Sequence, residues 1–268
     1  MDRVVFESVR KVFRHRPALF NWLGTERGGE TVALKSLSFS AGAGEVLVLL
    51  GPNGSGKTTA LKLVSTMLLP DAGSVRVSEF DTQREGSRVR QQVGIAIATE
   101  RSFFPRLSAR ENLEFFAALD DVPRGECSQR IEEALRDMGL SEQSDTLVTK
   151  FSSGMYQRLG IARALVKRPS VLLLDEPTRS LDAATTGHFW TTIRSLADRQ
   201  TTILLATHNF AEAGAVGDRI LVLQSGELLA DRALRRGESM EELRAFYFHM
   251  TGEVDEAAGM IQRAGRVS

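Results

Sequence analysis

Apolar side chains fall along this chain in short unbroken runs, separated by polar, glycine-containing connections. Leu34–Phe39 and Glu45–Leu50 flank the turn Ala41-Gly42-Ala43-Gly44 and read as strands. Val46–Leu50 is wholly apolar, and Val171–Leu174 and Thr202–Ala206 share that character. Such runs suit strands covered on both faces, as in a parallel sheet between helices. Helices are expected over residues 58–69, 108–120, 128–139, 153–168, 185–199 and 209–216. Ser108-Ala-Arg-Glu111 is a capping box that opens the second of these. The alternation of strand and helix predicts an α/β fold. Residues 14–30 hold a proline and three glycines among mixed charges and read as a loop insertion. Residues 100–150 are mostly helical and sit between strands as a candidate lobe. The tail after Asp231 is charged, with a helix expected over Ser239–Met250 and fraying over Ala257–Ser268.

Composition narrows the classes. At 268 residues, with 42% apolar and 25% charged side chains, wholesale disorder is excluded. Lys+Arg and Asp+Glu both number 34, so no global basic field exists to hold nucleic acid or anionic lipid. No nucleic-acid partner is therefore expected. The single cysteine, Cys127, excludes an internal disulfide framework and a cysteine-rich zinc site. No run approaches the roughly 20 apolar residues of a spanning helix. The expectation is a cytosolic protein that reaches a membrane only through a partner.

The sharpest chemical signal is Gly51-Pro52-Asn53-Gly54-Ser55-Gly56-Lys57-Thr58, which fits GxxxxGK[ST]. Glycines let backbone N–H groups converge on phosphate oxygens. The helix that follows aims its positive dipole end at the same anion. Lys57 reaches the β- and γ-phosphates of a nucleoside triphosphate, and the Thr58 hydroxyl can ligate Mg²⁺. A buried strand before the loop and a helix after it argue against a chance glycine turn.

A second centre follows Val171–Leu174, where Asp175-Glu176-Pro177 ends an apolar strand. Ligands of such sheets bind at the carboxyl ends of strands. Asp175 would hold the metal or its waters, and Glu176 would polarise the attacking water. Thr207-His208 ends a further strand. His208 is either a satisfied hydrogen-bonding residue or a contact to the γ-phosphate.

Together these residues resemble the nucleotide-binding subunits of ABC transporters over about residues 4–230. Phe151-Ser152-Ser153-Gly154-Met155, followed by Tyr156-Gln157-Arg158, stands where that family carries its LSGGQ signature. Ser180-Leu181-Asp182 stands at its D-loop. The stretches 100–113, 152–158 and 175–182 are similar to the export branch, whose permeases move drugs, polysaccharides or lipids.

The resemblance implies a P-loop NTPase core of RecA type over 1–99 and 156–230, with an antiparallel β subdomain. It also implies a helical subdomain over 100–155 and a short tail over 231–268. ATP and Mg²⁺ are the implied ligands. Residues 51–58 with Thr59 would hold the nucleotide, and Lys57, Glu176 and His208 would carry the chemistry. Ser152, Ser153, Gly154 and Asp182 would complete the site of a second copy, so that a homodimer makes two composite sites. The implied partner is a separate transmembrane permease at the cytoplasmic face of the cell membrane.

Physical chemistry supports the signature assignment. Ser152 and Ser153 are good N-caps, and a free helix N-terminus offers N–H groups to an anion. Three departures accompany it. Ser153 and Met155 replace a glycine and a glutamine of the family pattern. The Q-loop position reads Ala98-Thr99-Glu100, so Glu100 is either a third metal-binding group or a partner of Arg101. Phe13 stands at the family's adenine-stacking position, and either stacks on the base or packs into the sheet. Phe103-Phe104-Pro105 is either a partner surface or part of the lobe's core. Three other readings compete: a soluble ABC ATPase acting on ribosomes or DNA, an importer ATPase, and a degenerate subunit that binds ATP without hydrolysis, against which Lys57, Asp175, Glu176 and His208 together speak. Two cassettes on one chain or a long coiled coil would mark the first, and a large C-terminal domain the second.

Overall fold

The computed structural model describes residues 2–14, 29–97, 103–235 and 238–252. Among these described residues, ten strands alternate with helices. The strands are β1 (Asp2–Arg14), β2 (Glu30–Gly42), β3 (Val46–Leu50), β4 (Ala72–Val77), β5 (Phe80–Asp81), β6 (Val93–Ile97), β7 (Val171–Asp175), β8 (Thr202–Thr207), β9 (Arg219–Gln224) and β10 (Glu227–Ala233). The α-helices are α1 (Lys57–Val64), α2 (Gly86–Gln92), α3 (Ala109–Leu119), α4 (Arg124–Asp137), α5 (Ser153–Val166), α6 (Ala183–Asp198), α7 (Phe210–Val216) and α8 (Met240–Thr251).

The apolar runs behave as expected. Every residue of β3, β7 and β8 is buried. They lie side by side in a six-stranded sheet of order β10-β9-β3-β8-β7-β6, in which β3 pairs in parallel with β8 and β9. The pleat divides their side chains between two cores. Val46, Val48 and Leu50 face one layer, with Leu172, Leu174, Ile203 and Leu205, under the helices α3–α8. Leu47, Leu49, Val171, Leu173 and Leu204 face the other, against α1 and a second sheet. Each such side chain contributes about 1.5–3 kcal/mol by leaving water.

That second sheet is antiparallel, in the order β2-β1-β4-β5. Its strands β1 and β2 flank the 14–30 stretch. Arg14 and Glu30 pair directly across β1 and β2 and form an ion pair of 3.1 Å. Between them, residues 15–28 lie outside the described residues, as do Phe20 and Trp22 of the insertion.

Helix boundaries follow local chemistry. The helix expected to 69 stops at Val64, because Thr66 adopts φ 63, in the left-handed region. Ser108 and Glu111 form the reciprocal capping box of α3. Ser239 and Glu242 form another at α8, and Gly252, with φ 67, ends that helix. The signature helix α5 runs unbroken from Ser153 through the 155/156 boundary.

Candidate functional site

The carboxyl ends of β3, β7 and β8 bring the P-loop, Asp175-Glu176 and Thr207-His208 to one edge of the sheet. The loop 51–56 leaves β3 and turns into α1 at Gly56. Its φ is 108, and a Cβ there would stand 2.8 Å from the Ala33 carbonyl oxygen, so both conformation and space demand glycine. Among the described residues no side chain caps α1. Its first N–H groups and the dipole therefore face the loop. The buried Ser55 hydroxyl likewise finds no hydrogen-bond partner among the described residues. A ring of donors without acceptors suits an anion with several oxygens.

Lys57 is 5% exposed, and its ammonium donates to the carbonyls of Gly51 at 2.6 Å and Pro52 at 3.0 Å. Burial pulls its pKa down, and the carboxylates of Glu176 and Asp175 push it back up. The Thr58 hydroxyl donates to the Asp175 carboxylate at 2.8 Å. Burial raises the pKa of Asp175, opposed by that hydrogen bond. Glu176 follows with φ 49, a strained conformation for a non-glycine residue. Its N–H is held by the Ala206 carbonyl at 2.9 Å, and its Oε1 lies 2.8 Å from His208 Nδ1. His208 is thus a hydrogen-bonded residue that shares its partner with the site.

A cavity of about 400 Å³ opens between these groups, lined by Phe13, Val32, residues 53–59, Asp175, Glu176 and Arg179. Phe13 is half-buried at its wall, with Lys11 Nζ 5.9 Å from the ring centroid. The sequence reading missed Arg179, and its only signal was a cation in the turn after a strand-end acid. A larger recess of about 660 Å³ lies at the opposite ends of β6, β7 and β8, lined by Arg3, Arg136 and Arg199 among others. It holds none of the phosphate-loop residues.

The signature residues do not line the 400 Å³ cavity. Ser152 caps α5 by accepting the N–H of Met155 at 3.2 Å, and Ser152 and Ser153 are exposed. Asp182 does not line it either. Its carboxylate caps α6 by accepting the Thr185 N–H at 2.8 Å, a bond that lowers its pKa. Glu100 lies outside the described residues. The Phe103-Phe104 pair divides between its two readings. Phe103 is buried in the lobe, whereas Phe104 is 44% exposed and packs edge-on against the exposed Phe115. With Leu119 they form an apolar patch on α3 and the turn before it.

One titratable group was invisible in the sequence. Glu212 on α7 is wholly buried near Glu176 and His208, and burial raises its pKa to about 7. The Thr207 and Thr178 hydroxyls favour its charged form, yet neither closes a hydrogen bond of good geometry, so burial prevails.

Most of the chain around the site is similar to known proteins. A family model described as ABC transporter matches residues 34–179. The ABC transporter ATP-binding protein NatA of Bacillus subtilis is 35% identical over 80% of this chain and 89% of its own length. The daunorubicin resistance ATP-binding protein DrrA3 of Streptomyces coeruleorubidus is 37% identical over 77% of this chain and 65% of its own. The Nod factor export ATP-binding protein I of Paraburkholderia xenovorans is 37% identical over 76% and 67%. This chain thus spans about two thirds of the resistance and export relatives. Among solved structures, the dimeric ATP-binding cassette MJ0796 bound to ADP and Pi superposes with a TM-score of 0.75. It is 27% identical and covers 87% of this chain and 99% of its own.

Proposed function

The chain belongs to the ABC transporter family of ATP-binding subunits, and from that premise we propose that it hydrolyses ATP to drive export through a separate membrane permease. The observation that carries the reaction is the pairing of Glu176 with His208, 2.8 Å apart, beside the cavity that Lys57 borders. In this reading the adenine stacks on Phe13. The triphosphate lies against the N–H groups of residues 53–59, and Lys57 turns from the loop carbonyls to the β- and γ-phosphates. Two hard oxygen donors, Thr58 and Asp175, are already held together at 2.8 Å, a set that suits Mg²⁺ bound jointly by protein and phosphate. That ion would neutralise charge developing on the phosphate oxygens. Glu176 takes the proton of the attacking water, and His208 orients that carboxylate and meets the γ-phosphate.

Ser152, Ser153, Gly154 and Asp182 lie away from their own chain's cavity, which supports a role in the site of a second, identical copy. The dimeric state of the MJ0796 cassette is in keeping with this. Export is favoured by the Nod factor export relative. No helix among the described residues is long and apolar enough to cross a membrane. The permease then supplies the path, and the exposed Phe104–Phe115–Leu119 patch receives one of its cytoplasmic segments. The subunit would sit peripherally on the cytoplasmic face of the cell membrane.

The test is turnover. Glu176→Gln is expected to lower ATP hydrolysis about 100-fold or more while ATP still binds. Wild-type turnover should rise when a co-expressed permease co-purifies. Undiminished hydrolysis by Glu176→Gln would remove the glutamate from its role. Stimulation by ribosomes or DNA in place of a membrane protein would favour the soluble reading.

A further inference from the structure

Gln157 lies on α5, one turn beyond the exposed start of the signature helix. Its Nε2 donates to the backbone carbonyl of Glu176 at 2.9 Å, and its Oε1 accepts the backbone N–H of Ser180 at 3.2 Å. One side-chain amide therefore spans the turn from Glu176 to Ser180, which joins β7 to α6. The turn needs such a brace. A non-glycine residue at φ 49 persists only where its surroundings over-determine it. Here the N–H of Glu176 is held by Ala206, its carboxylate by His208 and its carbonyl by Gln157. The same helix approaches the turn a second time. A Cβ on Gly154 would stand 2.9 Å from the Ser180 carbonyl oxygen. The first turn of α5 and the segment 176–180 are thus in direct contact at Gly154 and again at Gln157.

We infer that Gln157 is a positioning residue. It fixes the strained backbone of its own chain's Glu176, so that a triphosphate docked on the start of α5 by the partner copy tunes hydrolysis in the other site. The inference rests on the composite-site reading above. In that reading the N-terminus of α5 meets the γ-phosphate held by the second copy, while Glu176 serves the chain's own cradle. Each signature helix then touches both sites: one through Ser152–Gly154, the other through Gln157. Loss of the amide frees the Glu176 peptide to leave the left-handed region and swings the carboxylate off the water.

Steady-state ATP hydrolysis by the full chain with Mg²⁺ tests this on Gln157→Ala and Gln157→Glu. The second variant keeps an acceptor for Ser180 and sets a carboxylate against the Glu176 carbonyl, so it reports even if the alanine variant folds poorly. Both are expected to lose about ten-fold or more in kcat, with KM for ATP within about two-fold. The Hill coefficient should fall from above 1 towards 1. A merely structural amide would shift thermal stability and leave the split between kcat and KM, and the cooperativity, unmoved. Three results overturn the inference: kcat within about two-fold of wild type in either folded variant, a Hill coefficient unchanged by the substitutions, or no cooperativity in the wild type. The composite reading is judged apart, on Glu176→Gln. If that variant forms an ATP-bound dimer while the Gln157 variants turn over normally, only the role of Gln157 fails. If it forms none, the composite reading itself fails.

Discussion

The phosphate cradle and the signature helix are built on opposite plans. The cradle is largely buried and pre-assembled: Lys57 is almost inaccessible, and Thr58 at the start of α1 is already hydrogen-bonded to Asp175 at the end of β7. The signature helix begins in the open, with Ser152 and Ser153 exposed and only their own helix to cap. Burial lets one chain grip a polyanion by itself, since charge-assisted hydrogen bonds strengthen away from water. An exposed helix N-terminus gains little until something seats on it. Under the proposed function, this contrast leaves nucleotide capture to the single chain and completion of the hydrolytic site to two.

The largest break in this comparison is expected at Lys57. Lys57→Ala should weaken ATP binding by about 100-fold, the loss of two or so charge-assisted hydrogen bonds, as read by nucleotide titration of the isolated chain. Gly154→Ala should leave that titration unchanged and lower hydrolysis by about ten-fold. The new Cβ must displace the Ser180 carbonyl, a contact the signature half makes and the cradle does not. Equal loss of binding in this variant would erase the division of labour. Phe13→Ala should weaken ATP by about five-fold, the low end of base–aromatic stacking for a half-buried ring, and should weaken a triphosphate without a base no further.

The smallest expected effect concerns pH. The raised pKa of Glu212, about 7, means the fold favours its neutral form. Stability from that preference is full below the ordinary carboxylate range and is lost as pH rises from about 4.5 to 7. The melting temperature of the wild type should fall by several degrees across that window, and Glu212→Gln should flatten the difference. An identical slope in both would place the proton elsewhere.

The cradle was legible in the sequence because its chemistry is consecutive. Residues 51–58 sit in one turn, and Asp175-Glu176 ends one apolar run. The antiparallel sheet was not legible from periodicity. Strand β1 shifts register against β2 at several points, so its burial does not alternate cleanly, and only the family resemblance supplied it. Gln157 and Glu212 were hidden for different reasons. Gln157 acts on backbone groups, which carry no sequence identity, and Glu212 occupies a buried face where a carboxylate is not expected. Asp182 was read for the nucleotide, and its carboxylate is engaged in capping α6.

The central claim, that one copy's cradle is completed by the other copy's signature helix, is tested most directly by mass and nucleotide content together. Light scattering on Glu176→Gln saturated with ATP and Mg²⁺ should give a particle of two chains holding two nucleotides. Adding Ser153→Glu should return it to single chains with ATP still bound. A Glu176→Gln chain that remains single at saturating ATP, or a dimer indifferent to Ser153→Glu, would contradict it.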